Sequence, residues 1–436
     1  MKGEKMKKMV MLILGLTLVF NSGVMAEEYD LQKFLSLVKK NSKELKTARK
    51  ELDMADANKR EALSAAFPKL TLDADYNRYL TSNYLYVDLG EGYQKFKINR
   101  NNQYGLNVVL SQTLFSLNVR NAIKAAGQYQ KLTDFSYDAG YQEIVTLAKK
   151  GFYQTLLLRA VWEVTEKSEQ NAHENYLSVK DKFDQGLVSQ LTLLQAEVQW
   201  KDMIPQTIEA KRNHELALIS LKNLAGIPVE DQITLQGTLD GYPDMPQALG
   251  FEELLKTRPD YQALVWEEKL RRTAVNAGRS GYFPTLTGSF VYNFASQSDR
   301  WKLDERNNNF ILGLNLSVPL FMGGYTRAKV SQARIDLDKT RIKIDQTKDD
   351  IRKEIADIRL RLEQAKDRIL SADATRQTAE KAFQIAQISA KNGLATQLEL
   401  KDARLASDQA QLTYFSAVYE YLSAYFDWER AIGAVD

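Results

Sequence analysis

Phe67-Pro68-Lys69-Leu70-Thr71 returns 216 residues later as Phe283-Pro284-Thr285-Leu286-Thr287, and the residues after each copy alternate in polarity. In the second copy Leu286, Gly288, Phe290, Tyr292 and Phe294 interleave with Thr285, Thr287, Ser289 and Asn293. In the first, Leu72, Ala74 and Tyr76 interleave with Thr71, Asp73, Asp75 and Asn77. A period of two puts apolar side chains on one face of a strand and polar ones on the other. The pattern recurs where Tyr104, Leu106, Val108 and Leu110 oppose Asn107 and Ser111, and where Phe310, Leu312, Leu314, Leu316, Val318 and Leu320 oppose Asn315 and Ser317. Strands are therefore expected at about 68–79, 104–116, 284–295 and 309–321.

Two more segments repeat in the same order. Ser111–Phe115 (SQTLF) returns as Ser317–Phe321 (SVPLF), and Gly186-Leu187-Val188-Ser189-Gln190-Leu191 returns as Gly393-Leu394-Ala395-Thr396-Gln397-Leu398, with offsets of 206 and 207. The first offset exceeds these by about ten, so one connection is longer in the first half. Three matches in one order indicate a duplication, with repeats expected over 27–225 and 250–436 and a linker over 226–249. Each half reads as helix, strand, loop, strand, very long helix, glycine turn, long helix.

Val119 to Asp184 and Arg327 to Asn392 contain no proline. Each run of roughly 65 residues would extend on the order of 100 Å as a helix. Leu337, Ile344, Ile351, Ile358 and Ala365 recur every seven residues, with Ile355, Leu362 and Ile369 four positions further on, as in a coiled-coil seam. The other faces are charged or amide-rich. Gly186 and Gly393 supply left-handed caps that reverse the chain, at hairpin tips 186 and 393. Ser189 and Thr396 follow where an N-cap belongs. Pro205 predicts a kink in the first return helix, and the stretch through Pro228, Pro243, Pro246 and Pro259 is expected not to be regular helix.

A half-buried sheet in a soluble protein gives the same alternation. Three features favour a bilayer instead. The segments have about the ten residues of a tilted spanning strand, Tyr79, Tyr84, Tyr86, Trp301 and Phe310 gather toward strand ends like an interfacial girdle, and the polar face carries Asn, Thr, Ser and Asp as a wet lumen would. Four strands cannot close a barrel, and lipid does not tolerate open edges. The barrel must be shared between subunits.

Residues 1–26 carry Lys2, Lys5, Lys7 and Lys8 before an apolar run from Met9 to Phe20 and a small-residue site at Val24-Met25-Ala26. This reads as a cleaved signal peptide. Its loss takes the formal charge from +3 to zero, with 55 charges of each sign remaining, which excludes a basic protein seeking nucleic acid. With no Cys there is no disulfide, thiolate metal site, thiol nucleophile or lipid-acceptor cysteine. His173 and His214 fall at polar helical positions without metal-ligand spacing, and the methionines are dispersed. No phosphate-binding loop occurs. Neither an enzyme nor a cofactor is expected.

The duplicated order, the Phe-Pro-x-Leu-Thr strand starts, the Gly-Leu-x-(Ser/Thr)-x-Leu tips and Thr257-Arg258-Pro259-Asp260 resemble the TolC-like outer membrane efflux protein (outer membrane factor) family across the mature chain. The resemblance implies a mainly α fold with a minor β part: coiled-coil hairpins building an α-barrel, and four transmembrane strands per chain, so that a homotrimer forms a 12-stranded β-barrel. It implies an equatorial region at 27–42 and 226–258. The function it implies is a passive outer-membrane exit duct of a tripartite efflux or type I secretion system, reaching into the periplasm and docking a periplasmic adaptor and an inner-membrane transporter. Gly186, Leu187, Val188, Ser189, Gly393, Leu394, Ala395 and Thr396 would then meet the adaptor. Glu399 and Asp402 match a tunnel-entrance acidic ring, whereas the first repeat has Thr192 and Gln195. The family's Tyr and Arg gate-bonding positions are Ala390 and Ala395 here, so the entrance would close differently. A soluble periplasmic coiled-coil adaptor or scaffold that does not conduct is the alternative. The exported substrate is not readable.

Overall fold

A computed structural model describes residues 27–247 and 249–434. The expected signal peptide lies outside the described residues. The described residues divide into two compact units, one drawn from residues 27–48, 139–258 and 350–434, the other of 49–138 and 259–349.

The second unit is built on one antiparallel sheet. Its strands are β2 (Lys69–Arg78), β5 (Asn102–Phe115), β7 (Thr285–Ser298) and β8 (Glu305–Ser317), in the order β2-β5-β7-β8. The register aligns like with like across all four. Leu72, Val108, Tyr292 and Phe310 form one rung and Leu70, Leu110, Phe290 and Leu312 the next, while Asp73, Asn107, Asn293 and Asn309 form a rung on the opposite face. There the Asn293 amide donates to Asn107 Oδ1 at 2.6 Å. A β-carbon on Gly105 would run into the Asp75 carboxylate, so a glycine makes room for that acid on the polar face. Strand β8 ends at Ser317, short of the expected 321, because Pro319 has no N–H for the ladder.

The longer first connection holds an unexpected hairpin, β3 (Tyr84–Asp88) paired with β4 (Tyr93–Lys97). Tyr84 and Tyr86 belong to this hairpin rather than to the end of β2, and Phe310 lies inside β8 against Tyr292. Trp301 and Tyr79 do sit at the sheet's end, Trp301 tilted against Tyr76 and Tyr79 bonded to Gln103. Lys97 and Arg100 hold Asp299 in the second connection, at 2.6 and 3.1 Å. The Lys97 bond and the Asn101 N–H keep the Asp299 carboxyl down at about 2, so this link between connections stays charged through ordinary acid pH.

Helices α2 (Lys43–Ser64), α3 (Leu117–Asp184), α6 (Pro259–Ser280) and α7 (Tyr325–Lys391) all contribute to this unit. Gln130 of α3 joins Asp56 and Lys59 of α2, and Glu268 of α6 accepts from Arg341 of α7. Val275, Val330 and Leu337 pack together, and Gly278 faces Val330 of α7.

The first unit is helical around one core. It contains α1 (Leu31–Asn41), the far parts of α3 and α7, and the return helices α4 (Gln190–Ala225) and α8 (Gln397–Ala431). Ile358, Leu362, Ala365 and Ile369 of the heptad series join Phe34, Phe152, Leu221, Val418 and Tyr421 in that core. The seven-residue spacing thus marks the buried seam. Helix α4 runs through Pro205 without a break.

The connection between halves departs from expectation in two places. Strand β6 (Ile233–Leu235) pairs in parallel with β1 (Glu27–Tyr29), and Phe251–Thr257 forms a short helix, α5. Prolines punctuate this stretch without excluding a helix between Pro246 and Pro259; Pro259 opens α6 at a first-turn position where its missing N–H costs nothing. The Thr257-Arg258 pair latches the C-terminal end of α8: Thr257 Oγ1 donates to the Ile432 carbonyl at 2.8 Å, and the buried Arg258 reaches Glu354 at 2.6 Å. Arg430 binds the same glutamate at 2.7 Å.

Candidate functional site: the hairpin tips and the sheet face

Both long helices end in the same way. Gly186 and Gly393 adopt φ of 71° and 75°. At the first tip Gly186 N–H donates to Phe183 O and Leu187 N–H to Lys182 O, each at 2.8 Å; at the second Gly393 N–H donates to Ala390 O at 3.1 Å and Leu394 N–H to Ser389 O at 2.8 Å. These paired bonds are the Schellman closure, which satisfies the last helical carbonyls. Because the backbone is held from within, Leu187 and Leu394 are left 69% and 82% exposed. Val188 and Ala395 are half-buried, and Ser189 and Thr396 are exposed.

Ser189 caps α4 by accepting from Thr192 N–H, and Thr396 caps α8 by accepting from Glu399 N–H. At the second tip the box is complete, since Glu399 Oε2 accepts from Thr396 N–H at 2.7 Å and from its hydroxyl at 2.9 Å. Those two bonds hold the Glu399 carboxyl below the usual range. Asp402 lies one turn further on, also exposed.

The two tips are neighbours. Lys182 Nζ donates to Lys391 O at the end of α7 at 3.1 Å, Asn175 to Gln397 Oε1 at 2.6 Å, and Gln199 to Gln397 O at 3.2 Å. A lysine at a helix C-terminus also meets the negative end of the helix dipole. Further from the tips, Ser168 of α3 donates to Asp408 of α8 at 2.6 Å.

The histidines depart from their expected polar surroundings. His214 is buried and stacks on Trp162 at 5.8 Å, and His173 stacks on Trp200 at 4.3 Å. Burial pushes the His214 imidazole below its usual range. Their helical positions look polar because Asn171, Glu174 and Asn175 flank His173 and Arg212, Asn213 and Glu215 flank His214, but the packed α3–α4 pair turns both rings toward indoles. Among the described residues no group of three or more His, Cys, Asp or Glu could hold a metal ion, and no helix is long and apolar enough to cross a membrane.

The sheet offers the other candidate surface. Leu72, Phe310, Leu312, Leu314 and Leu316 are 65%, 70%, 83%, 73% and 62% exposed, so a contiguous apolar face stands open in the single chain. Strands β2 and β8 each have a free edge.

Two hairpins with matched glycine tips, each joined to a pair of one-face-apolar strands, correspond to a profile that matches the chain twice, over residues 34–227 and 251–434. The chain belongs to the outer membrane efflux protein family. Outer membrane protein TolC of Salmonella enteritidis is 22% identical over 339 residues, which are 76% of this chain and 66% of that protein, just under two thirds of its length. Its namesake in Escherichia coli K12 is 21% identical over 450 residues, covering 99% of this chain and 87% of that protein. Among solved structures, the Campylobacter jejuni CmeC outer membrane channel superposes with a TM-score of 0.82 at 21% identity, over 93% of this chain and 85% of that one. The family fold is thus present nearly throughout: mainly helical, with a minor sheet.

Proposed function

We propose that this member of the outer membrane efflux family is a passive outer-membrane exit duct, active as a homotrimer. The observation that carries the reading is the in-register apolar face of a four-stranded sheet with two free edges. Such a face is tolerated against lipid, whereas free edges are not. Three copies joining β8 of one to β2 of the next give a closed barrel of twelve strands, with the Asp73–Asn107–Asn293–Asn309 rung turned to a wet interior. The helices then form a tunnel into the periplasm, and the barrel alone anchors the chain after signal cleavage.

The tips carry the second half of the proposal. Gly186, Leu187, Val188 and Ser189, with Gly393, Leu394, Ala395 and Thr396, meet a periplasmic adaptor that connects to an inner-membrane transporter. Rigid closures presenting exposed leucines over small residues suit the close approach of another helical tip. Glu399 and Asp402, repeated three times, form an acidic ring that concentrates cations at the entrance.

Fractionation with chemical cross-linking tests the duct. The mature protein is expected in the outer membrane, extractable only with detergent, and cross-linked as a trimer. Recovery as a soluble periplasmic monomer would sink this reading in favour of a non-conducting coiled-coil scaffold, which the open apolar face already disfavours.

A further inference from the structure

Arg404 is a buried cation with no acceptor. It lies on α8, 5% exposed, with its Nε fully enclosed and unpaired, and it makes no hydrogen bond or ion pair among the described residues. Asp408, one turn along, attracts Arg404 electrostatically but already accepts from Ser168 and makes no ion-pair contact with it. Burial pushes the Arg404 guanidinium below its usual range and the Asp408 carboxyl above its own. An enclosed Nε–H without an acceptor destabilises the fold, and the guanidinium's remaining donors are open to a ligand that supplies acceptors.

Room for an acceptor exists beside it. Arg404 lines a cavity of ≈ 380 Å³ among α3, α4, α7 and α8, together with Asn175, Lys182, Lys391 and Glu174. Three of these lining groups are cationic and one is acidic, so the cavity favours an anion. Its polar walls are otherwise mostly amides, which can donate to oxygen.

We infer that this cavity is a binding site for a small oxyanion, a carboxylate or a phosphate, with Arg404 as its recognition group. The planar guanidinium matches both of those forked anions, whereas a spherical halide meets it at one point. Lys182 stands at the tip side of the cavity, and its single protein acceptor, Lys391 O, leaves ammonium protons for the ligand. An anion held there would tie α8 to α3 just behind the tips, where Asn175, Gln199 and Lys182 supply the existing links. The site is built within one protomer and does not depend on the duct reading.

The test is a titration of the purified full-length mature protein in detergent. Sodium phosphate and sodium acetate are compared with sodium chloride at matched ionic strength, by thermal melting and by calorimetry. A saturable rise in the melting midpoint is expected with one or both oxyanions and not with chloride, and the arm that saturates at lower concentration identifies the ligand class. Arg404→Met should abolish the response, while melting in chloride no lower than the parent, because it removes an unpaired buried charge of similar volume. Lys182→Met, a half-exposed position, should keep the fold and weaken oxyanion affinity about tenfold. Identical behaviour of all three salts, showing hydration by water alone, overturns the inference. So does a saturable response that survives Arg404→Met, or one that Lys182→Met leaves unchanged.

Discussion

Three glycines with nearly the same backbone conformation sit in different surroundings, and this separates a folding role from a contact role at the tips. Gly186, Gly393 and Gly226 have φ of 71°, 75° and 65°. An alanine at any of them meets the left-handed penalty of about 1–2 kcal/mol. At the tips an added β-carbon meets nothing within 4 Å, so that is the whole cost. At Gly226 it would lie 3.0 Å from the Asn41 carbonyl oxygen and 3.2 Å from Asn41 Cβ, which adds an overpacking penalty of about 1–3 kcal/mol. Melting of the helical part, followed by circular dichroism, should therefore drop less for Gly186→Ala and Gly393→Ala than for Gly226→Ala. Export assayed in a strain lacking the chromosomal copy should read differently. Gly393→Leu starts its side chain in open space and should melt like Gly393→Ala, yet abolish export while trimers persist. Normal export by Gly393→Leu and Gly186→Leu would remove the tip contact. Tip alanines as destabilising as Gly226→Ala would refute the packing argument itself.

Leu362 is fully buried in the seam, so Leu362→Ala should destabilise by about 2–5 kcal/mol, read as a fall in the same melting midpoint. Two carboxyls should give opposite pH dependences. Burial raises the Glu268 carboxyl, but the bonds from Arg272 and Arg341 outweigh it and leave it below 4.5; its contribution is present above that value and is lost as pH falls through the depressed one. Burial raises the Asp408 carboxyl above 3.8 despite the Ser168 bond, so the folded state holds that proton more tightly, and the resulting stability is lost as pH rises through the raised value. Melting against pH should show that Glu268→Gln removes the acid-side loss and Asp408→Asn the loss on the rise. Unchanged slopes in either variant would contradict the corresponding assignment.

The strands were legible because their period is two and each half repeats the other, so even Leu312 and Leu314, exposed in the single chain, fall on the expected face. Glycine followed by Ser189 or Thr396 announced the tips for an equally local reason. The hairpin of β3 and β4 was not legible: five-residue strands mixing Tyr, Lys and Gln carry too few turns of alternation, so Tyr84 and Tyr86 read only as aromatics near strand ends. Pairing of β1 with β6 joins residues some 200 apart through three-residue strands, which no local pattern announces. Arg404 did leave a signal. Leu400, Tyr414, Val418 and Tyr421 are buried on α8, and steps of four and three residues between them pass through Arg404, Ser407 and Gln411. A cation in the apolar series of a coiled-coil seam is a departure that the sequence displays, but solvent-facing charges all along α8 obscured it.

Glu399 was singled out for its position relative to Gly393, and the structure gives it a local occupation as well. Its carboxylate closes the capping box on Thr396, while at the matching place Thr192 offers only a hydroxyl, 3.0 Å from Ser189 Oγ. The start of α4 therefore forms without an acid at that slot, so helix initiation alone does not require the charge at Glu399. The two roles separate experimentally because glutamine also completes a capping box. Glu399→Gln keeps the acceptor and removes the charge, whereas Glu399→Ala removes both. If the acid serves the entrance, Glu399→Gln and Asp402→Asn should each relieve block by multivalent cations in planar bilayers, and together relieve it most, with hydrogen exchange in the first turn of α8 unchanged for Glu399→Gln. If it serves only the helix, Glu399→Ala alone should change that exchange, and block should be the same in every variant, which would remove the acidic ring.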